Sequence, residues 1–236
     1  MKKRQITIKD IAKALHISPS TVSRSLADHP DISQETKNIV NAYAREHKYK
    51  PNALALSLRT NNTKTIGVIL PQIVHYFFSS VLSGIEDEAE KGGYRVIICQ
   101  SNENYEKEVK GAQALLEARV CGVLASVAKT TTIYNHFQEL IDSDIPMVFF
   151  DRICTGILTD RVVVDDYAGV CSAVEYLIRS GCRRIAFFGS PSHLAISNNR
   201  RMGYEDALRK NGLPVDKELI KICDNYTEAL RLTPEL

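Results

Sequence analysis

The sequence predicts two parts of different class: a small all-α head built as a helix-turn-helix, and an α/β body on a parallel sheet. Three observations carry this expectation. Between Thr7 and Leu26, two short helical periods meet at a tight turn. From Lys64 onward, apolar strand-like runs alternate with amphipathic helical ones. The charge also changes sign. Residues 1–63 hold 11 Lys and Arg against 5 Asp and Glu, a balance of +6, and the remainder holds 19 against 23, a balance of −4. A length of 236 residues is enough for a small helical unit and a second, sizeable core.

In the head, Ile8, Ile11, Ala12 and Leu15 fall on one helical face. Thr7 precedes them as an N-cap, and Asp10 three residues later completes a capping box. His16 and Ile17 make the turn. Ser18 caps the next helix, and Pro19 takes its first position, where a missing N–H costs nothing. Val22 and Leu26 point inward, which leaves Ser20, Thr21, Ser23 and Arg24 on the outer side. A third helix starts near Gln34, capped by Ser33, with Ile39, Val40, Tyr43 and Ala44 as its inner face.

Short hydroxyls can bond phosphates and bases at close range, and Arg can grip a guanine edge with two hydrogen bonds. Beside a +6 charge, this polar helix is laid out to enter a major groove of DNA. The alternative is a plain helical bundle with a solvated basic face, which would have no need for such a helix. After Tyr49, Pro51 opens a stretch of good helix propensity up to Arg59, too short to be stable alone in water. It is either a linker or a helix that forms on DNA, with an apolar tip wedged into the minor groove.

In the body, strands are expected at about 65–70, 95–100, 122–127, 146–151, 161–165 and 184–189. Helices are expected at about 77–92, 105–119, 131–143, 167–180 and 197–211. Ligands in such sheets bind at the C-terminal ends of the strands. No G-x-G-x-x-G, P-loop or G-x-S-x-G motif occurs, so no enzyme and no cofactor is implied. Cysteines at 99, 121, 154, 171, 182 and 223 show no Cys-x-x-Cys spacing, and the six histidines are dispersed. No metal site follows, and a reducing, cytoplasmic compartment fits. No apolar run is long enough to cross a bilayer, and Lys2, Lys3 and Arg4 precede no apolar signal core.

The segments Thr7-Ile-Lys-Asp-Ile-Ala12, Ser18-x-Ser-Thr-Val-Ser-Arg24, Tyr49-x-Pro-Asn-Ala53 and Ser57-Leu-Arg-Thr60 resemble the lactose repressor (LacI/GalR) family of bacterial regulators. The match continues through Thr65-Ile-Gly-Val-Ile69, Asp165 to Gly169 and Arg184-Ile-Ala-Phe-Phe-Gly189. The resemblance implies a lambda-repressor-like head on residues 1–50 and a hinge helix on 51–63. It implies a first lobe of a periplasmic-binding-protein-like (type I) body on 64–164, and the start of a second lobe on 165–236. Measured against the family pattern, the chain stops early at Leu236, so an incomplete second lobe is expected, either as a fragment or as a naturally shortened product.

The resemblance also implies a homodimer on a near-palindromic duplex operator. Position by position, Ser20 and Arg24 match base readers, and Thr7, Ser18, Thr21 and Ser23 match phosphate contacts. Leu58 matches the hinge leucine that inserts into the central base step, with Asn52 and Ala55 on the same element. Pro19 departs from family members that carry a side-chain donor there, which shifts base readout toward Ser20.

In the body, Asp151 and Arg200 match residues lining an effector cleft. A carboxylate accepting from ligand hydroxyls, an arginine donating in a fixed fork and an aromatic over a ring face suit a carbohydrate. Phe78 is the first candidate for that aromatic and Phe77 the second. The alternatives are a loop cap for Asp151, an ion pair for Arg200 and helix core for both aromatics. The loop Pro71-Gln-Ile-Val-His-Tyr-Phe-Phe78 departs from the family's Pro-Asp-x-x-Asn-Pro-Phe-Phe, so the ligand is expected to be atypical. The Ser180-Gly-Cys182 departure carries no functional reading.

The expected function is a transcriptional regulator, a repressor, whose operator affinity depends on a small effector such as a sugar. Two alternatives stand: control by a protein co-repressor, and a doubly wound small-molecule-binding protein with an incidental helical head.

Overall fold

The computed structural model describes residues 6–49, 63–223 and 225–235. The chain divides into two units, residues 1–61 and 62–236. The first is built on α1 (Ile8–Ala14), α2 (Pro19–Leu26) and α3 (Gln34–Glu46). The hydroxyls of Thr7, Ser18 and Ser33 accept the N–H of Asp10, Thr21 and Thr36, each capping one helix. Helix α1 ends where His16 turns to φ +52 and Ile17 N–H donates to Ala12 O at 3.0 Å. The same ending recurs at Asp28 after α2 and Lys48 after α3.

Ile11, Val22 and Val40 are fully buried between the three helices, with Ala12 and Ala44 beside them. Each fully buried aliphatic side chain stabilises the unit by about 1.5–3 kcal/mol. Ile39, expected on the inner face of α3, is instead 51 % exposed. Lys37 takes the inward place, with Nζ 2.8 Å from Asp28 Oδ1. The buried stripe of α3 therefore runs Lys37, Val40, Ala44.

The second unit begins with β1 (Thr65–Leu70), α4 (Tyr76–Lys91), β2 (Arg95–Gln100) and α5 (Tyr105–Glu117). It continues with β3 (Gly122–Ala125), α6 (Asn135–Asp142), β4 (Met147–Phe150) and β5 (Asp160–Val162). The five strands form a parallel sheet in the order β2-β1-β3-β4-β5. Ile69 pairs with Ala125, and Ala125 with Phe149, which fixes the C-terminal ends of the middle strands side by side. Alternate residues of β1 serve opposite faces. Ile69 packs with Leu115 of α5 and Phe137 of α6, while Val68 and Leu70 pack with Phe78 and Leu82 of α4.

The chain then forms α7 (Asp166–Arg179), β6 (Phe187–Gly189), α8 (Ala195–Lys210), β7 (Ile220–Ile222) and α9 (Tyr226–Leu232). Strands β6 and β7 pair in parallel. Helices α7 and α8 pack closely because residue 203 is glycine, where a Cβ would stand 2.5 Å from Tyr167 O. Val174, Ile178, Ala207 and Leu208 make the core of this part, and buried Tyr204 donates its hydroxyl to Ile185 O at 2.8 Å.

The strands expected over 122–127 and 161–165 end early, at Ala125 and Val162, and two further elements start late. Helix α6 begins at Asn135 rather than 131, because Thr131 is spent on a buried hydrogen bond to Glu108. The strand expected over 184–189 pairs only from Phe187.

Candidate functional site

In the first unit, α2 is oriented by Val22, which is fully buried, and by Ser25, whose hydroxyl donates to Thr21 O at 2.8 Å. The opposite side carries Ser20 and Arg24, both exposed, with Thr21 and Ser23 half-buried at its flanks. Thr7 and Ser18 are exposed at the starts of α1 and α2. Thr7 Oγ1 donates to Asp10 Oδ2 at 2.7 Å, and the hydroxyls of Ser18 and Thr21 stand 2.9 Å apart. These caps lock the hydroxyls in place at the helix entrances, where backbone N–H groups and short polar side chains favour anions.

Asn52, Ala55 and Leu58, the expected hinge contacts, lie outside the described residues. One acidic residue was missed by the sequence reading. Asp31, in the α2–α3 loop, places Oδ2 4.0 Å from Arg24 Nη1. Its signal was the short Asp28-His-Pro-Asp31 run directly after the reading helix. The Lys37–Asp28 pair withdraws one counted cation and one counted anion together, leaving the +6 balance unchanged, and the Lys37 ammonium holds the Asp28 carboxyl below its ordinary range.

In the second unit, the loops after β2, β3 and β4 meet at the C-terminal end of the sheet. Asp151 follows β4 at φ +58, with its side chain 14 % exposed. Its Oδ2 lies 3.5 Å from Ser126 Oγ and 3.9 Å from Arg152 Nε. Burial pushes the Asp151 carboxyl above its ordinary range, with Asp166 adding to the rise and Arg152, Arg200 and Ser126 opposing it. A desolvated carboxylate with only long contacts gains most from a ligand hydroxyl.

Arg152 turns away from the carboxylate and grips Glu103 with Nη1 at 2.8 and 2.9 Å from its two oxygens. Glu103 also accepts Lys129 N–H at 2.8 Å. Arg200 on α8 donates from Nε to Asp166 Oδ1 at 2.7 Å, and its charge reaches Asp151. From the loop after β6, His193 Nε2 lies 2.6 Å from Lys129 O.

Of the two candidate aromatics, Phe78 is 4 % exposed and sits in the sheet core with Leu82 and Phe150. That placement fits the helix-core alternative for Phe78, whose ring centre also lies 5.8 Å from the Arg152 guanidinium. Phe77, 49 % exposed, is the ring with an open face. The structure thus brings Asp151, Ser126, Arg152 and Arg200 into one electrostatic neighbourhood, and gives Arg200 the ion pair that the sequence left open. Ser126 and Glu103 carried no recognisable signal in the sequence, and Asp166 lay in the matched Asp165–Gly169 segment without a role, because their roles depend on which strand ends the sheet places together.

Among the described residues, no group of three or more His, Cys, Asp or Glu side chains could hold a metal ion. No helix among them is long and apolar enough to cross a membrane.

Comparison with known proteins places these two units. The family described as "Bacterial regulatory proteins, lacI family" matches residues 7–52. The one described as "Periplasmic binding proteins and sugar binding domain of LacI family" matches residues 63–233. The ribose operon repressor of Bacillus subtilis is 34 % identical over 231 residues, covering 98 % of this chain and 68 % of the relative. The chain spans 64 % to 68 % of the length of such curated relatives.

Among solved structures, a periplasmic binding protein/LacI transcriptional regulator from Alkaliphilus metalliredigens, complexed with D-xylulofuranose, is 28 % identical. It has a TM-score of 0.58, over 71 % of this chain and 60 % of that one. The lac repressor dimer bound to operator and an anti-inducer shares the fold, with a TM-score of 0.81 and 20 % identity over 98 % of this chain and 71 % of that one. With one family profile covering the second unit and another the head, the chain belongs to the LacI family of bacterial regulatory proteins.

Proposed function

We propose that this chain acts as a sequence-specific transcriptional repressor, binding a near-palindromic operator duplex as a homodimer and releasing or tightening its grip in response to a sugar-class effector. The observation that carries the reading is α2: a capped, buried-backed helix that presents Ser20 and Arg24 outward on a basic unit. Its N-terminal residues suit base edges, and Thr7, Ser18, Thr21 and Ser23 suit the flanking phosphates. The hinge reading of Asn52, Ala55 and Leu58 belongs to the same proposal.

For the effector, support comes from the buried Asp151 carboxyl beside Ser126, and from Arg200 on the facing element. The open ring of Phe77 supplies an apolar surface for a sugar face. The similarity to a ribose operon repressor and to a xylulofuranose-bound regulator makes a pentose the first class to test. No catalytic step forms part of this reading.

The test is selection from a random-sequence duplex library, followed by affinity measurement on the enriched sequence. The chain is expected to enrich a two-fold symmetric motif. Arg24→Ala should cost about 1–3 kcal/mol and relax one base pair in each half-site. A uniform loss over all sequences would mark Arg24 as a phosphate contact, and no enrichment by the unaltered chain would sink the operator reading.

A further inference from the structure

A carboxylate beside the arginine that would read DNA is chemically costly, because a duplex surrounds it with phosphate charge. Asp31 is nevertheless held there by the chain's own bonds. His29 N–H donates to Arg24 O at 3.0 Å, and Asp28 takes φ +54. Lys37 Nζ clamps the loop through Asp28 Oδ1 at 2.8 Å and Asp28 O at 3.3 Å. Ile32 N–H returns to His29 O at 3.3 Å, and Asp31 N–H donates to His29 Nδ1 at 3.3 Å. The loop that carries Asp31 is therefore anchored on the carbonyl of Arg24 itself.

The pair adds little to folding. The side chains of Arg24 and Asp31 are 57 % and 64 % exposed, and solvated ion pairs contribute almost nothing to stability. Its geometry matters more. Asp31 Oδ2 stands 3.4 Å from His29 Nδ1 and 4.0 Å from Arg24 Nη1, on the side of the guanidinium away from Nη2 and Nε, the two-donor edge that fits guanine O6 and N7. At 4.0 Å no hydrogen bond forms, so Asp31 acts on the guanidinium through its charge, which disfavours a backbone phosphate as the competing partner.

We propose that Asp31 is a positioning residue for DNA reading. It aims Arg24 at a base edge and repels backbone phosphate, so that affinity for arbitrary duplex is given up in exchange for discrimination. This inference rests on the operator reading of α2. It adds a residue whose charge opposes DNA binding while serving its specificity.

The experiment uses the full chain and a random-sequence duplex library, with Asp31→Asn, Asp31→Glu, Arg24→Ala and the Arg24→Ala/Asp31→Asn double variant. Circular dichroism of each variant confirms folding, which the exposure of the pair should leave intact. Asp31→Asn is expected to bind unselected duplex about three- to tenfold more tightly. It should also weaken preference at the same base pair that Arg24→Ala erases. In the Arg24→Ala background, Asp31→Asn should change no base preference; with Arg24 in place, Asp31→Glu should retain part of the discrimination that Asp31→Asn loses. An unchanged ratio of selected to unselected affinity in Asp31→Asn overturns the proposal. Loss of preference at a different base pair also overturns it, since Asp31 would then read a base directly. If the unaltered chain enriches no motif, the operator reading falls and this proposal with it; enrichment by the unaltered chain with no Asp31 effect removes this proposal alone.

Discussion

Asp151 shows how a single buried carboxyl can sit in a fold at a cost to stability. Its carboxyl is mostly buried and its contacts are long. Burial raises its pKa, so the folded chain holds the proton more tightly than the unfolded chain does. Stability is therefore highest when the group is protonated in both states. It falls as pH rises from the ordinary aspartate range through the raised value, and the penalty is then constant up to neutrality. Asp151→Asn removes the charge and keeps the shape. Thermal melts should show the variant more stable than the parent at pH 7, with the difference shrinking as pH falls toward 3. A variant less stable at pH 7 would mean that Arg152 and Arg200 outweigh burial, contrary to the direction given by the site.

At the scale of elements, the sheet fixes where the strands end, and buried polar anchors fix where the loops go. Glu108 on α5 is fully buried and takes three contacts, from Ala128 N–H at 2.6 Å and Thr131 Oγ1 at 2.7 Å in the segment after β3 and from His136 Nε2 at 3.0 Å in the first turn of α6. Ser126, at the start of that segment, faces Asp151. Glu108→Ala leaves three buried donors without an acceptor and should cost about 3–5 kcal/mol in denaturant unfolding. Glu108→Gln retains one acceptor oxygen and should cost clearly less. Equal losses in the two variants would show that packing, and not the hydrogen bonds, holds the segment. None of this was legible in the sequence, since a Glu in an amphipathic helix ordinarily reads as solvated. Strands and helices themselves were legible, because hydrophobic period and caps such as Thr7, Ser18 and Ser33 are local signals. Helix ends carried less: His16, Asp28, Lys48, Arg119 and Asp144 take φ between +50 and +58 without the glycine that usually announces such a turn.

For the whole chain, the charge pattern was readable from the start, but its use depends on the fold. Residues 1–63 carry +6 and the rest −4, yet Lys37 is folded inward against Asp28 and is withheld from any partner. The basic excess belongs to the head, and the acidic remainder would repel phosphate. Duplex affinity should therefore depend steeply on salt. With roughly six phosphates neutralised by Lys and Arg of two heads, affinity should fall on the order of 10³-fold between 50 and 200 mM salt. Titrations of an enriched duplex across that range, plotted as log affinity against log salt, give the slope directly. A fall of less than about tenfold would mean that few phosphates are neutralised. The basic head would then be a solvated surface, and the binding energy would have to come from base contacts alone, which Arg24 and Ser20 are too few to supply.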